Sequence, residues 1–160
     1  MTATVRTAVP ADAPLIHALI VELAEYERLA HEVRSTPESI AEALFGAAPR
    51  AFCDIVAWDG RAVGFALWFY NFSTFEGRHG IYLEDLYVRP EQRGQGLGRL
   101  LLARLARRCL DEGLSRLQWS VLDWNEPAIG FYRGLGAEML EAWTGCRVGG
   151  DALARLAERA

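Results

Sequence analysis

The sequence predicts an α/β (α+β) fold: a mixed, mainly antiparallel central sheet with helices on both faces and one parallel βαβ unit. Three observations lead there. Runs of β-formers and amphipathic helical runs follow one another in the order βααβββαβα along 160 residues. Asp59-Gly60 joins two β-rich runs with a pair that favours a tight hairpin, so those strands run antiparallel. A long leucine-rich helix separates Ile81–Arg89 from Leu117–Leu122, and such a crossover is what a parallel pair requires.

Val5 to Val9 alternates as a short first strand. Asp12 and Pro14 then open a helix in which Leu15, Ile16, Leu19, Ile20 and Leu23 recur at helical spacing, with Tyr26 and Glu27 near its end. Ser35-Thr36-Pro37-Glu38 has the form of an N-cap with proline in the first turn, and Ile40, Leu44 and Phe45 follow on one face. Phe52–Trp58 and Ala62–Phe72 form the hairpin around Asp59-Gly60. Asn71 to Gly80 reads as a polar, glycine-containing loop before the third strand of the meander. Gln95–Glu112 is an amphipathic helix closed by Gly113, and Asn125-Glu126-Pro127 starts another that runs to about Leu135, with Gly136 at its end. Ala137–Val148 holds enough β-formers for one or two strands, and Asp151 caps a last helix, Ala152–Ala160.

Composition sets the class. With 51% hydrophobic residues the chain supports one core, and a single domain over residues 1–160 is expected. Apolar runs such as Phe65–Tyr70 fall far short of the roughly 18 residues that span a bilayer, and no basic-then-apolar leader opens the chain. The expectation is a cytoplasmic protein with no membrane contact. A net charge of −4 argues against nucleic acid as a partner and mildly favours cationic small molecules. All 17 basic residues are arginine, which removes a lysine phosphate loop, a pyridoxal Schiff base and a lysine nucleophile. Cys53, Cys109 and Cys146 are too few and too scattered for a disulfide framework, and neither they nor His17, His31 and His79 have the spacing of a metal site.

The chemistry concentrates in Val88-Arg89-Pro90 and the Arg93-Gly94-Gln95-Gly96-Leu97-Gly98 loop ahead of the long helix. Alternate glycines let backbone N–H groups approach an anion, and the helix start adds unpaired donors and the positive end of its dipole, which suits a pyrophosphate. A dinucleotide-binding unit fits poorly, because five residues separate the strand from the first glycine and the spacing is G-x-G-x-G. Taken alone, such a cluster serves equally as a plain turn and helix start.

Arg93 to Gly98 resembles the R/Q-x-x-G-x-G/A loop of the GNAT N-acetyltransferase superfamily, and Asn125 to Tyr132 resembles its N-x-x-A-x-x-F-Y segment. The βααβββαβ order is also that superfamily's. Tyr26-Glu27, Leu83-Glu84-Asp85 and Trp124-Asn125-Glu126-Pro127 resemble the diamine acetyltransferases, the spermidine/spermine and thialysine-type enzymes.

The resemblance implies acetyl-CoA as co-substrate and direct attack of a neutral amine on its thioester, with no covalent enzyme intermediate. It implies pantetheine along Leu86-Tyr87-Val88, pyrophosphate at Arg93, Gly94, Gln95, Gly96, Leu97 and Gly98, and further CoA contacts at Asn125. It makes Tyr132 the acid that protonates the departing thiolate, Glu84 the base, and Tyr26, Glu27 and Glu84 the acceptor contacts. A homodimer is implied as well, with contacts exchanged from Ala137 onward.

The residues by themselves admit other roles. Tyr132 beside Phe131 and Leu135 suits a helix core position, Asn125 suits an N-cap, and of Glu84 and Asp85 one suits a bulge and the other solvent. Trp68, Tyr70, Phe72 and Phe75 suit either core or an aromatic wall for a cation. The chain departs from the polyamine pattern where an expected glutamate and tryptophan fall at Thr144 and Cys146. The acceptor is then a diamine, a polyamine or a thialysine-like amino acid. A peptide or protein N-acetyltransferase and a non-catalytic acetyl-CoA-binding module are the alternatives.

Overall fold

A computed structural model describes residues 1–160, which fall into two compact units, Met1–Ser120 and Val121–Ala160. In the first unit, β1 (Ala3–Thr7), α1 (Ala13–Tyr26), α2 (Pro37–Phe45), β2 (Phe52–Trp58), β3 (Arg61–Ser73), β4 (Arg78–Val88), α3 (Leu97–Asp111) and β5 (Leu117–Trp119) follow in order. The strands lie in sequence order across one sheet, antiparallel except for the parallel pair β4–β5. This is the expected mixed sheet.

Local chemistry sets the element boundaries. Thr36 caps α2: its Oγ1 accepts from the Ser39 N–H at 3.2 Å and the Ser39 Oγ accepts from the Thr36 N–H at 2.9 Å. Asp59 and Gly60 both take positive φ, 47° and 80°, and Trp58 faces Arg61 across the two-residue turn.

Alternation along β2 divides the two faces. Cys53 and Ile55 join Phe65 and Tyr87 under α1 and α2, where Ile16, Leu19, Leu23 and Leu44 complete the core. Asp54 turns to the other face, beneath α3. Its carboxylate is 1% exposed and accepts from Arg104 Nε at 2.8 Å, Trp68 Nε1 at 3.1 Å and Thr7 Oγ1 at 3.4 Å. A charge that deep is tolerated because every partner is a donor, and the pair pins α3 to β1–β3.

Four expectations need correction. Asn71 to Gly80 is not a loop: β3 and β4 stay paired to Ser73↔Arg78, and the turn is confined to residues 74–77. Gly80 marks a close approach, since a Cβ there would stand 2.7 Å from the Arg116 carbonyl. The strand expected over Leu117–Leu122 ends at Trp119. Ala137–Val148 carries no strand, only one turn at Glu141–Ala142, and the helix after it, α5, begins earlier than expected, spanning Gly150–Ala157. The second unit contains α4 (Glu126–Arg133) and α5 but no strand, so β-formers there have no ladder to join.

Candidate active site

The glycine loop leaves β4 through a single turn of 3-10 helix, Pro90–Gln92, and returns to helix at Leu97. Gly94 and Gly96 hold φ of 78° and 79°, with open space where a Cβ would stand, so glycine is needed for conformation and not for packing. Gly96 occupies the N-cap of α3, a position where it has no side chain to accept from the first N–H groups. The helix ladder begins with the Leu100 N–H donating to the Gly96 carbonyl at 3.0 Å. The donors of Leu97, Gly98 and Arg99 therefore form the kind of cradle a phosphate fills, with the dipole's positive end behind them. Leu97 contributes only its N–H, because its side chain is 2% exposed in the core.

Beside the loop the sheet is open. β5 pairs with Ile81, Tyr82 and Leu83 only, whereas β4 continues to Val88 with β3 on its other side. Backbone groups of Leu86, Tyr87 and Val88 that face away from β3 thus have no strand partner in the first unit. An extended, amide-bearing chain can use such an edge by strand addition.

Glu84 sits where the edge opens. Leu67 faces Asp85 and Trp68 faces Leu83, so Glu84 is the extra residue of a β-bulge. It is exposed, while Asp85 turns toward the core beneath α1. Burial, then the Glu84 and Glu27 charges, push the Asp85 carboxyl up to about 6. Glu27, at the C-terminal end of α1, is also raised by burial. Two carboxyls that resist ionisation and a third that stays in solvent describe a place that a cation would stabilise.

The end of α1 is sharply defined. Leu29 N–H donates to the Ala24 carbonyl at 2.8 Å and Arg28 N–H to the Glu25 carbonyl at 3.1 Å, the paired bonds of a Schellman ending. Arg28, with φ of 62°, occupies the left-handed position that glycine normally takes. Strain of this kind beside Tyr26 and Glu27 is expected where a site dictates the chain's path. Arg28→Gly should raise unfolding free energy by about 1 kcal/mol, read from urea denaturation. A loss of stability would show that the arginine's own contacts outweigh the strain.

One stripe of α1 meets the loop. Arg89 Nε and Nη2 grip the Glu22 carboxylate at 2.8 to 3.2 Å. The Arg93 guanidinium lies 4.7 Å from the Tyr26 ring centroid and 5.6 Å from that of Tyr87.

In the second unit, Asn125 Oδ1 accepts from the Ala128 N–H at 3.4 Å, so Asn125 does cap α4, with Pro127 in the first turn. Tyr132 lies on the buried side of α4, its ring 5.3 Å from that of Phe131. Tyr132 and Ala137 are joined by a backbone bond of 3.1 Å across Gly136, whose φ is 87°.

Tyr26, Glu27, Glu84, Leu86, Tyr87, Val88 and the glycine loop therefore converge around β4. The aromatic wall does not. Trp68 packs against a tilted Phe52, meets Tyr70 edge-on and lies under Arg108 on the α3 face, and Phe72 and Phe75 are exposed near the β3–β4 turn. Spacing alone gives Asp85 no role: its signal is a second carboxylate inside an apolar strand, and which of the pair packs inward depends on the bulge.

The model of the Acetyltransferase (GNAT) family matches residues 16–137. Thialysine N-epsilon-acetyltransferase of Bos taurus is 40% identical over 164 residues, covering 96% of each chain. L-ornithine N5-acetyltransferase of Arabidopsis thaliana is 30% identical, covering 96% of this chain and 87% of that one. Among solved structures, an integron cassette protein from the mobile metagenome of V. cholerae superposes with a TM-score of 0.82 at 22% identity over 99% of both chains. That likeness is one of fold.

Proposed function

We propose a reaction for a chain that belongs to the acetyltransferase (GNAT) family and is an acetyl-CoA-dependent N-acetyltransferase of small amines: acetylation of the side-chain amino group of a short basic amino acid such as thialysine or ornithine. The observation that carries a cationic acceptor is the gathering of Asp85, Glu84 and Glu27 where α1 ends beside the β4 bulge, which pushes the Asp85 carboxyl up to about 6. A cationic amine entering there offsets the cost of holding an ionised Asp85 beside two further carboxyls, so its affinity draws on repulsion that the empty fold bears. The names of the relatives point to the same acceptors and do not favour a peptide substrate or a silent acetyl-CoA-binding module. Both units are read as one catalytic domain, since these relatives align over nearly the whole chain.

Acetyl-CoA supplies the activated acetyl thioester. The N–H groups at Gly94 to Gly98 hold its pyrophosphate, the open edge at Leu86–Val88 aligns its pantetheine, and Asn125 adds a contact from the α4 cap. An aliphatic amine with a pKa of about 10 arrives protonated, so a base must act before attack. Glu84, on the bulge and open to solvent, takes that proton and passes it to water, while Asp85 and Glu27 remain as countercharges and Tyr26 flanks the entering chain. Tyr132 gives its phenolic proton to the thiolate as the C–S bond breaks. The chain acts as a homodimer, supported by the exposed Trp143, Val148, Leu153 and Leu156 of the C-terminal segment. No helix is long and apolar enough to cross a membrane.

The test is free-thiol release from acetyl-CoA with thialysine, ornithine, lysine, putrescine, spermidine and a basic peptide. Saturable release with thialysine or ornithine, at kcat/KM at least about tenfold above the polyamines, is expected. Preference for the peptide or for spermidine would overturn the acceptor assignment, and acetyl-CoA binding without release from any amine would overturn the reaction.

A further inference from the structure

Arg93 opens the glycine loop, yet its side chain turns away from the loop's N–H groups. Nε donates to the Val88 carbonyl at 2.9 Å, which directs the guanidinium back along β4 and over two rings, Tyr26 at 4.7 Å and Tyr87 at 5.6 Å. Turning toward a pyrophosphate would give up the hydrogen bond and both ring contacts. Arg89, one turn earlier, reaches α1 in the same way through Glu22, which sits one helical turn before Tyr26. Burial first, and Glu22 next, raise the Tyr87 phenol, so Glu22, Tyr26, Tyr87, Arg89 and Arg93 form one polar and aromatic cluster. That cluster ties the start of the phosphate loop to the last turn of α1, where Glu27 is raised by burial and Arg28 is held in a left-handed conformation.

We propose that Arg93 is a positioning residue for the acceptor end of the site: its guanidinium fixes the Tyr26 ring, and with it the last turn of α1, while the loop's backbone alone holds the pyrophosphate. This rests on the reading of Tyr26 and Glu27 as acceptor contacts. It separates the two ends of one motif by role. The loop's glycines determine affinity for acetyl-CoA, and its leading arginine determines how the amine is received.

The experiment uses the full chain and four variants, Arg93→Gln, Tyr26→Leu, Tyr26→Phe and the double Arg93→Gln/Tyr26→Leu. Acetyl-CoA affinity is measured by calorimetry without acceptor, amine KM and kcat by thiol release, and the mobility of residues 22–29 by hydrogen–deuterium exchange. Arg93→Gln should bind acetyl-CoA within about threefold of the parent and raise the amine KM at least about tenfold. Tyr26→Phe, which keeps a ring beneath the guanidinium, should leave exchange in the last turn of α1 at the parent's rate, and the double variant should be no worse than Tyr26→Leu in amine KM. Exchange in the last turn of α1 should quicken in Arg93→Gln whichever amine is the true substrate. Loss of acetyl-CoA affinity by about tenfold or more with an unchanged amine KM would overturn the proposal, as would additive effects in the double variant. Should the parent release no thiol with any amine, the proposed reaction fails. The arginine's role then stands or falls on the exchange rates and the calorimetry.

Discussion

Asp85→Asn should stabilise the protein near neutral pH while weakening its grip on the amine. The Asp85 carboxyl sits at about 6 against an ordinary 3.8, so the folded chain binds that proton more tightly than the unfolded chain does. The stability this group contributes is complete below its unfolded value and is lost as pH rises from there through about 6. The gap between the two values has a ceiling of about 3 kcal/mol. Because the side chain retains some contact with solvent, about 1 to 2 kcal/mol is the expected cost above pH 7.

Asparagine keeps the shape of the neutral acid and cannot ionise, so the variant should escape that loss. Urea unfolding at about pH 4 and about pH 7.5 measures it: the parent's advantage over the variant at low pH should shrink or reverse at the higher one. Equal differences at both pH values would mean that Asp85 ionises as an ordinary surface carboxylate. The same variant should raise the amine KM at least about tenfold, since one countercharge is gone, while acetyl-CoA affinity stays near normal. A stabilising change that costs function is the usual sign of a site held in an unfavourable state for a ligand.

Glu84→Gln separates the neighbouring role. A base on the bulge predicts a kcat lowered by about tenfold or more and loss of the acidic limb of the pH profile, with the amine KM affected less than in Asp85→Asn. An unchanged rate and profile would remove Glu84 from the mechanism. The expected result distinguishes the two adjacent carboxylates by one kinetic parameter each, kcat for Glu84 and the amine KM for Asp85.

The second large effect is at Tyr132. Tyr132→Phe should lower turnover at least about tenfold and leave acetyl-CoA affinity near normal. The ordinary pKa values of a phenol, about 10, and of a thiol, about 8.5, lie close enough for a proton to pass between them. Donation in step with C–S cleavage therefore stabilises the charge as it develops, and the phenol recovers its proton from solvent. Phenylalanine keeps the ring of this buried residue beside Phe131, so stability should change by about 1 kcal/mol or less. Stopped turnover with a native unfolding midpoint is the expected pair of results. Unchanged turnover would assign Tyr132 to packing alone.

Some of this site is legible in the sequence because its causes are local. Thr36 and Asn125 cap helices by bonds that span three residues, and the Asp59-Gly60 turn and the glycine loop depend on φ values that neighbouring residues barely influence. The β-formers of Ala137–Val148 misled for the opposite reason: a strand exists only with a partner, and propensity supplies none. Asn71–Gly80 misled because a glycine marks a close approach as readily as a loop.

The order of the elements as far as α4, the loop that suits a pyrophosphate and the identity of the chemical groups are each set by residues within a few positions of one another. Which of those groups share an environment follows from packing. The bulge that exposes Glu84 and buries Asp85 requires β3 in register beside β4, the raised carboxyls require α1 to deliver Glu27 to the same place, and Arg93 finds Tyr26 only once the helix end and the loop are packed together. Burial and Coulomb interaction act through space. They remain undetermined until the chain has closed on itself.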